Sequence, residues 1–202
     1  MQYIEGYYQK GKAKVRLLHT STNTKSVDVY INNCLLLKDF RFKYSSEYLN
    51  LPEGSYQIDI FPEGVSNRPN LTKYLKVIAN KSYTLVATDQ MDALQLLVIS
   101  DDEFVHSGET KIRFFHLSPN TPTVDIAIYK GDTIFPHIEY GEVTDYLSLI
   151  PMTVDLEVRK VGTKEVTFLL KRVNVKPNLA YTIAIVGLTE ENLHLEAIFL
   201  VP

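Results

Sequence analysis

The stretch "VRLLHTSTNTKSVDVYI" runs from Val15 to Ile31, and "IRFFHLSPNTPTVDIAI" runs from Ile112 to Ile128. The two segments share one pattern of apolar and polar positions. Each contains a histidine, a serine and an aspartate at the same offsets, namely His19, Ser21 and Asp28, then His116, Ser118 and Asp125. A motif repeated at this distance predicts two copies of one folding unit.

The similarity between the two halves continues beyond this motif. The matching segments are "SSEYLNL" (45–51) with "VTDYLSL" (143–149), "YQIDI" (56–60) with "VDLEV" (154–158), and "NKSYTLVA" (80–87) with "NLAYTIAI" (178–185). We therefore divide the chain into an N-terminal aromatic arm (1–12), a first repeat (13–100), a polar linker (101–110) and a second repeat (111–202). Each repeat is long enough to fold separately if the chain is cut within the linker.

The matching segments have the pattern of β-strands. In "YQIDI" and "VDLEV" apolar and polar residues alternate, which is typical of a strand with one buried face. "YTLVA" and "YTIAI" are apolar at both alternating positions, as in a central strand covered on both sides. Turn residues separate the short segments at regular intervals. The pattern predicts an all-β chain of two tandem immunoglobulin-like antiparallel β-sandwiches.

The repeated His, Ser and Asp raise the question of a hydrolase. A serine nucleophile needs a base within hydrogen-bonding reach and donors for the oxyanion. The sequence has no G-x-S-x-G turn, and it carries the three residues twice although an enzyme needs them once. We therefore predict a structural role for them, a protein that is not an enzyme, and no catalytic residue.

Strand geometry gives the charged residues of the motif a structural interpretation. If residues 14–19 and 26–31 form a hairpin, Arg16 lies opposite Asp28. The same hairpin in the second repeat places Arg113 opposite Asp125. Opposite charges facing each other across a strand pair contribute about 0.2–1 kcal/mol. We predict these two pairs as structural contacts.

The loops after the first strand of each repeat allow two interpretations. Serine followed by asparagine two positions later suits bonds from side chain to backbone in a turn, and a neutral histidine at the edge of the core could bond the same loop. Loops at the end of a sandwich also often carry recognition. The alternative is therefore a binding surface formed by Ser21, Asn23, Ser118 and Asn120.

Composition excludes several classes of function. The chain has 202 residues, a net charge of −3 and no basic run, which disfavours nucleic-acid binding. No apolar stretch is long enough to span a membrane, and no histidine or cysteine spacing is typical of a metal site, so we expect neither a cofactor nor a metal. Cys34 is the only cysteine, and we expect it to be a small, at least half-buried side chain.

The repeated motif resembles the opening of the family known as domain of unknown function 4397, H-A-S-P-x-A-P-x-V-D-V-Y. The second copy keeps H-x-S-P-x-x-P-x-V-D, whereas the first has Thr22 and Lys25 where prolines would stand. The segments "EYLNL", "DYLSL" and "PEGSYQIDIFPEG" are also similar to the family pattern. The resemblance implies bacterial envelope-associated β-sandwiches, often in tandem, many with secretion signals. It implies no activity and no catalytic residues.

The first residues belong to neither repeat. Tyr3, Ile4, Tyr7 and Tyr8 give this arm a large apolar surface, and exposed aromatic residues reduce solubility. One interpretation is a frayed tail. The other is an arm that adds a strand to the open sheet edge of a second molecule.

These observations predict a structural or adhesive protein of a bacterial surface layer. The N-terminal sequence lacks the apolar core of a secretory signal, which suits a layer assembled from inside the cell, such as a spore coat or exosporium, and a cytoplasmic location otherwise. The expected partners are further copies of the chain or other surface-layer proteins. The alternative function is a module that recognises a glycan or a protein through its loop ends.

Overall fold

The computed structural model describes residues 11–65, 67–90, 93–188 and 194–201, which form β-strands, turns and loops and no helix. The strands of the first half are β1 (Lys12–His19), β2 (Ser26–Ile31), β3 (Cys34–Arg41), β4 (Leu49–Pro52), β5 (Gly54–Pro62), β6 (Leu71–Val77), β7 (Ser82–Gln90) and β8 (Ala93–Asp101). Those of the second half are β9 (Thr110–His116), β10 (Val124–Ile128), β11 (Thr133–Ile138), β12 (Leu147–Leu149), β13 (Met152–Lys160), β14 (Val166–Val175), β15 (Ala180–Val186) and β16 (Glu196–Leu200).

Each half forms two four-stranded sheets. The first half contains sheet A, in the order β4-β1-β7-β8, and sheet B, in the order β3-β2-β5-β6. The second half repeats both orders as sheet C, β12-β9-β15-β16, and sheet D, β11-β10-β13-β14. The predicted fold of two tandem sandwiches is confirmed. One pair in each half is parallel, however, because β1 pairs with β7 and β9 pairs with β15 in that direction.

Three apolar cores separate the four sheets. One lies between sheets A and B and contains Leu17, and one lies between sheets C and D and contains Phe114. The third lies between sheets A and C and contains Leu18 and Phe115, which are both 0% exposed. The layers therefore follow the order B, A, C, D, and the two sandwiches share a continuous interdomain core.

The alternation of side chains along a strand explains this arrangement. Leu17 and Leu18 are neighbours on β1 and point to opposite faces, into the first domain's core and into the interdomain core. Phe114 and Phe115 do the same on β9. The prediction that "YTLVA" and "YTIAI" form strands covered on both faces is confirmed, because β7 and β15 also supply residues to two cores.

The structure adjusts the predicted boundaries. Asp101 is the last residue of β8 and Thr110 the first of β9, so both belong to strands and the connecting segment is 102–109. Lys12 belongs to β1 and not to the arm. The predicted assembly residues Tyr3, Ile4, Tyr7 and Tyr8 lie outside the described residues.

The hairpin between β2 and β3 shows how local sequence sets the register. Asn32 and Asn33 both have positive φ, 47° and 64°, which asparagine tolerates better than most residues. This two-residue turn brings Cys34 opposite Ile31. Cys34 is exposed, so the expectation that it is buried is wrong, because the turn leaves it at the open edge of sheet B.

Candidate functional site

The predicted Arg16–Asp28 and Arg113–Asp125 pairs are wrong, because β1 and β2 lie in different sheets, as do β9 and β10. Both arginines face the interdomain core and meet at Asp101. The Nη2–carboxylate distances are 3.6 Å for Arg16 and 2.6 Å for Arg113. The three side chains are 4%, 6% and 0% exposed, so one buried carboxylate lies between two arginines from different domains.

Equivalent groups hold the two guanidinium groups. Each donates one hydrogen bond from Nε to a threonine of the neighbouring parallel strand. It donates another from Nη1 to a backbone carbonyl of the other domain. The acceptors are Thr84 and Val201 for Arg16, at 2.8 and 2.9 Å, and Thr182 and Ser100 for Arg113, at 2.9 and 3.0 Å. Arg113 therefore links its own domain to the last strand of the first domain, and Arg16 links its own to the residue that follows the last strand of the second.

A tyrosine covers each arginine. The ring centroid of Tyr48 lies 4.7 Å from Cζ of Arg16, and that of Tyr146 lies 4.4 Å from Cζ of Arg113, within cation–π range. Tyr48 donates a hydrogen bond of 2.7 Å to Asp101. Burial raises the pKa of both tyrosines, and the Asp101 carboxylate raises that of Tyr48 further, so both hydroxyl groups stay protonated.

We refer to Arg16, Tyr48, Thr84, Asp101, Arg113, Tyr146 and Thr182 as the interdomain charge cluster. Asp101 also accepts a 2.5 Å bond from Thr84, which adds to the bonds from Tyr48 and Arg113. A buried charge needs such partners because it has lost its hydration. The charged groups of the cluster are buried beneath two half-buried tyrosines, and they fix the two domains relative to each other.

The motif aspartates hold backbone irregularities in the adjacent edge strands. Asp28 accepts a 2.8 Å bond from the backbone N–H of Asp39, and Asp125 accepts a 2.7 Å bond from that of His137. Asp39 and His137 both have positive φ, at shifts in strand register. Their role is structural, as predicted, but their partner is a bulge and not an arginine.

The first motif loop is organised around a buried carboxylate. Ser21 donates its hydroxyl to Asp89 at 2.6 Å, and Asp89 also accepts the backbone N–H groups of Thr22 and Asn23. His19 Nδ1 accepts the backbone N–H of Ser21 at 3.3 Å. The histidine therefore contacts the serine backbone and not its hydroxyl. In a catalytic pair the histidine would accept the hydrogen bond of the serine hydroxyl.

The second motif loop uses backbone acceptors instead. Ser118 bonds Thr121 at 2.6 Å and the Gly187 carbonyl at 2.8 Å. His116 Nδ1 accepts the backbone N–H of Ser118, so Nε2 carries the proton and donates to the carbonyls of Thr121 and Pro122. The prediction that the motif histidines bond loop backbone is confirmed. The serine hydroxyls instead bond the Asp89 carboxylate in the first loop, and Thr121 and the distant Gly187 carbonyl in the second.

These loops divide the predicted binding residues into two classes. Ser21 and Ser118 are 0% exposed, so their hydroxyl groups shape the loops and do not reach the surface. Asn23 and Asn120 are exposed at the ends of the sandwiches. Any ligand of these loops would therefore contact the asparagines and the loop backbone.

A different concavity opens at the opposite end of β1, beside the connecting segment. It has a volume of about 480 Å³ and polar walls that include Lys12, Asn50, Lys81 and Glu103. Phe104, 65% exposed, lies at its margin. Mixed charges, amides and an exposed ring form a surface that polar ligands can contact.

The described residues contain no candidate metal group and no candidate membrane-spanning helix. Among them no group of three or more His, Cys, Asp or Glu side chains is arranged to hold a metal ion. In the same part of the chain no helix has the length and apolar character needed to cross a membrane.

Comparison with protein families identifies the family of this chain. The model of the family described as domain of unknown function, DUF4397, matches residues 13–127. The chain belongs to the DUF4397 family. The match covers nearly all of the first sandwich and of strands β9 and β10 of the second, so the family assignment from the motif is confirmed. No protein of curated function matches this DUF4397 chain significantly.

Two solved structures show a distant similarity to this DUF4397 protein. The Bacillus anthracis TIE protein matches with 11% identity and a TM-score of 0.30, covering 88% of this chain and 34% of the other. A leucine-rich repeat protein from Bacteroides thetaiotaomicron matches with 13% identity and a TM-score of 0.22, covering 91% and 27%. This chain therefore spans about a third or less of either relative.

Replacing Ser21 and Ser118 together by alanine tests the role of the motif serines. We expect the fold to remain and the stability to fall by about 1 kcal/mol for each lost hydrogen bond. Chemical denaturation measures this loss, and ester and peptide substrates should not be hydrolysed before or after the change. Hydrolysis that depends on either serine would contradict the structural role.

The motif histidines make stability depend on pH. Burial lowers the pKa of His19 and His116 from the ordinary value of 6.5, so the unfolded state binds protons more readily. Stability is therefore complete above that value and is lost as the pH falls below it. Denaturation midpoints measured from pH 8 to pH 5 should show this decline.

The matched variants identify the source of that decline. Replacing both motif histidines by glutamine should flatten the profile, whereas replacing His137, whose side chain is 65% exposed, should not. A profile that keeps its slope below pH 6.5 in the double variant would assign the effect to other groups.

Proposed function

We propose that this DUF4397 protein is a non-enzymatic structural or adhesive subunit of a bacterial surface layer, such as a spore coat or exosporium. The observation that carries this proposal is the interdomain charge cluster together with the interdomain core. A chain whose two domains are joined in this way has one shape, because relative movement would expose apolar residues and separate buried charges. A subunit of an ordered layer needs such a fixed shape.

The internal use of the motif residues supports the non-enzymatic part of the proposal. The serine hydroxyl groups, the histidine rings and the motif aspartates all bond groups of the same chain. Their arrangement stabilises two loops and two bulges. The repetition of the motif follows from the repetition of the fold and requires no second active site.

The surface location is supported by family resemblance. The motif is similar to that of envelope-associated β-sandwiches, and the sheets leave open edges that suit lateral association. A structural subunit of this type interacts with further copies of itself or with other layer proteins.

Removal of the N-terminal arm tests the assembly role. We expect the full chain to self-associate as its concentration rises over the micromolar range, and the chain without residues 1–10 to remain folded and sediment as a monomer. Sedimentation velocity distinguishes the two, and circular dichroism of both chains controls for folding. Identical monomeric sedimentation of the two chains would contradict an assembly role for the arm.

The polar concavity beside Phe104 favours a second candidate, a binding module. Its volume of about 480 Å³ falls within the range of small-ligand sites. A binding module should stay monomeric and retain particular glycans or proteins in array or pull-down experiments. Loss of such retention on replacing Phe104 by serine would place the ligand there and not at the asparagine loops.

A further inference from the structure

Among the described residues, the second sandwich is open along one side. Three adjoining cavities of about 440, 320 and 470 Å³ lie between the edge strands β14 and β16. Phe168 and Leu195 line the first and second cavities, and Val173 and Phe199 line the second and third. The cavities therefore form one groove, which we call the β14–β16 groove.

The equivalent side of the first sandwich is closed. There the edge strands β6 and β8 approach each other, and Lys73 donates a 2.7 Å hydrogen bond to the carbonyl of Leu96. Leu96 pairs with Ala87 on β7, and Ala197 pairs with Ile185 on β15. Because Ala87 and Ile185 occupy the same position in the two repeats, Leu96 and Ala197 are equivalent. Leu96 is 1% exposed. A smaller residue at position 197 therefore accompanies the opening of the second core.

The groove has the properties of a site for an extended apolar segment. Its walls include apolar residues of sheets C and D, and Phe199 is 46% exposed there. Among the described strands β16 pairs with β15 alone, in an uninterrupted register. Its other side therefore offers a regular row of backbone groups. β14 is a poorer template, because a bulge with positive φ at Arg172 interrupts its register.

We infer that the β14–β16 groove accepts the N-terminal arm of a second copy of this chain, which adds as a strand to β16. This inference rests on the proposed assembly role and names the site that performs it. β16 has 5 residues, and a segment of that length is available between Ile4 and Tyr8. In an extended strand Ile4, Gly6 and Tyr8 share one face and Tyr3, Glu5 and Tyr7 the other. The face without a charge lies against the apolar part of the groove, formed by Phe168, Val173 and Phe199.

The number of residues that connect the arm to β1 favours the arm of a neighbouring molecule over the chain's own arm. Lys43 bonds the carbonyl of His19 through its backbone and Glu196 through its side chain, so the end of β1 lies near the start of β16. Arg16 bonds Val201, so the start of β1 lies beyond the end of β16. Gly11 precedes Arg16 by five residues, roughly 16 Å of strand.

In the register in which residues 4–8 pair with β16, the chain's own arm cannot bridge this span. If residues 4–8 paired with β16, Gln9 and Lys10 would be the residues left to reach Gly11, and three extended steps cover about 10 Å. A neighbour's arm is free of this restriction. Because each chain then has one donor arm and one acceptor groove, the contact is head-to-tail and builds oligomers.

Cross-linking of the full chain tests the inference. In a Cys34→Ser background, we combine Ile4→Cys with Phe199→Cys and treat the protein with a short bismaleimide. We expect a ladder of covalent oligomers on a denaturing gel. The matched control combines Ile4→Cys with Val98→Cys, the equivalent position on β8 of the first sandwich, and should form no ladder beyond the dimers of the single-cysteine variants.

Three results of this experiment would overturn the inference. A cross-linked monomer without a ladder would mean that the arm occupies its own groove. Equal ladders from the Phe199 and Val98 pairs, or no cross-linked product from either, would mean that the groove is not the acceptor.

Sedimentation of point variants separates this inference from the assembly role itself. Phe199→Asp should abolish self-association, and Ala197→Leu, which restores the residue of the closed sandwich, should weaken it at least tenfold. Val98→Asp and Glu5→Gln should behave as the unmodified chain. If arm removal abolishes self-association and Phe199→Asp does not, the assembly role stands and the groove assignment is wrong. If the unmodified chain is monomeric at every concentration, both are wrong.

Discussion

Replacing Asp101 by asparagine is expected to lower the free energy of unfolding by about 3–5 kcal/mol, the range for breaking a buried ion pair by removing one partner. The carboxylate lies between Arg16 and Arg113, and all three side chains are buried. An amide keeps the shape but leaves two buried cations without a counter-charge. Urea denaturation followed by circular dichroism measures the difference.

The matched control is Glu165→Gln, which makes the same chemical change in an exposed pair. Glu165 lies 3.9 Å from Lys160, and their side chains are 67% and 56% exposed. Such pairs contribute about 0–1 kcal/mol. Equal effects of the two substitutions would show that the interdomain charge cluster does not hold the domains together.

Replacing Phe115 by alanine is expected to cost about 3–5 kcal/mol and to uncouple the two sandwiches. Phe115 is 0% exposed in the interdomain core, so its removal leaves a cavity between the domains. The test uses a protease site placed between Asp102 and Gly108. After cleavage the unmodified halves should remain together on size exclusion, and the Phe115→Ala halves should separate.

The neighbouring residue is the control for this prediction. Phe114 is 1% exposed and points into the core of the second sandwich. Phe114→Ala should destabilise the chain by a similar amount, yet its cleaved halves should stay together. Separation of the unmodified halves would instead support the expectation from sequence that each repeat is independent.

Short-range patterns allowed the fold class to be predicted. Alternation in "YQIDI" and apolar character on both faces of "YTLVA" are properties of single strands, and both predicted strands correctly. The polar face of "YQIDI" is not open to solvent, however, because Asp59 is 5% exposed. The turn at Asn32 and Asn33 is local as well. The interdomain core could be suspected from "YTIAI", whose two apolar faces need two cores.

The partners of the arginines could not be predicted in the same way. A hairpin between neighbouring strands was the simplest arrangement, but the chain crosses from sheet A to sheet B after His19. Asp101 is 85 residues away from Arg16 along the chain and stands in "SDDE", which has the composition of a solvated linker. The recurring tyrosines of "EYLNL" and "DYLSL" were the available signal, since they cover the two arginines.

The exchange of bonds between Arg16 and Val201 and between Arg113 and Ser100 has an evolutionary consequence. The arginine of the first half bonds a backbone carbonyl of the second half, and the arginine of the second half bonds the equivalent carbonyl of the first. This reciprocal arrangement is the pattern of a two-fold homodimer. A gene duplication that fused two such protomers would turn their dimer interface into the interior of one chain. A single-domain relative that keeps the arginine, the tyrosine and the apolar face of sheet A should therefore dimerise through that face. In the fused protein the same face is already occupied, which leaves the outer edges as the surfaces on which selection for assembly can act.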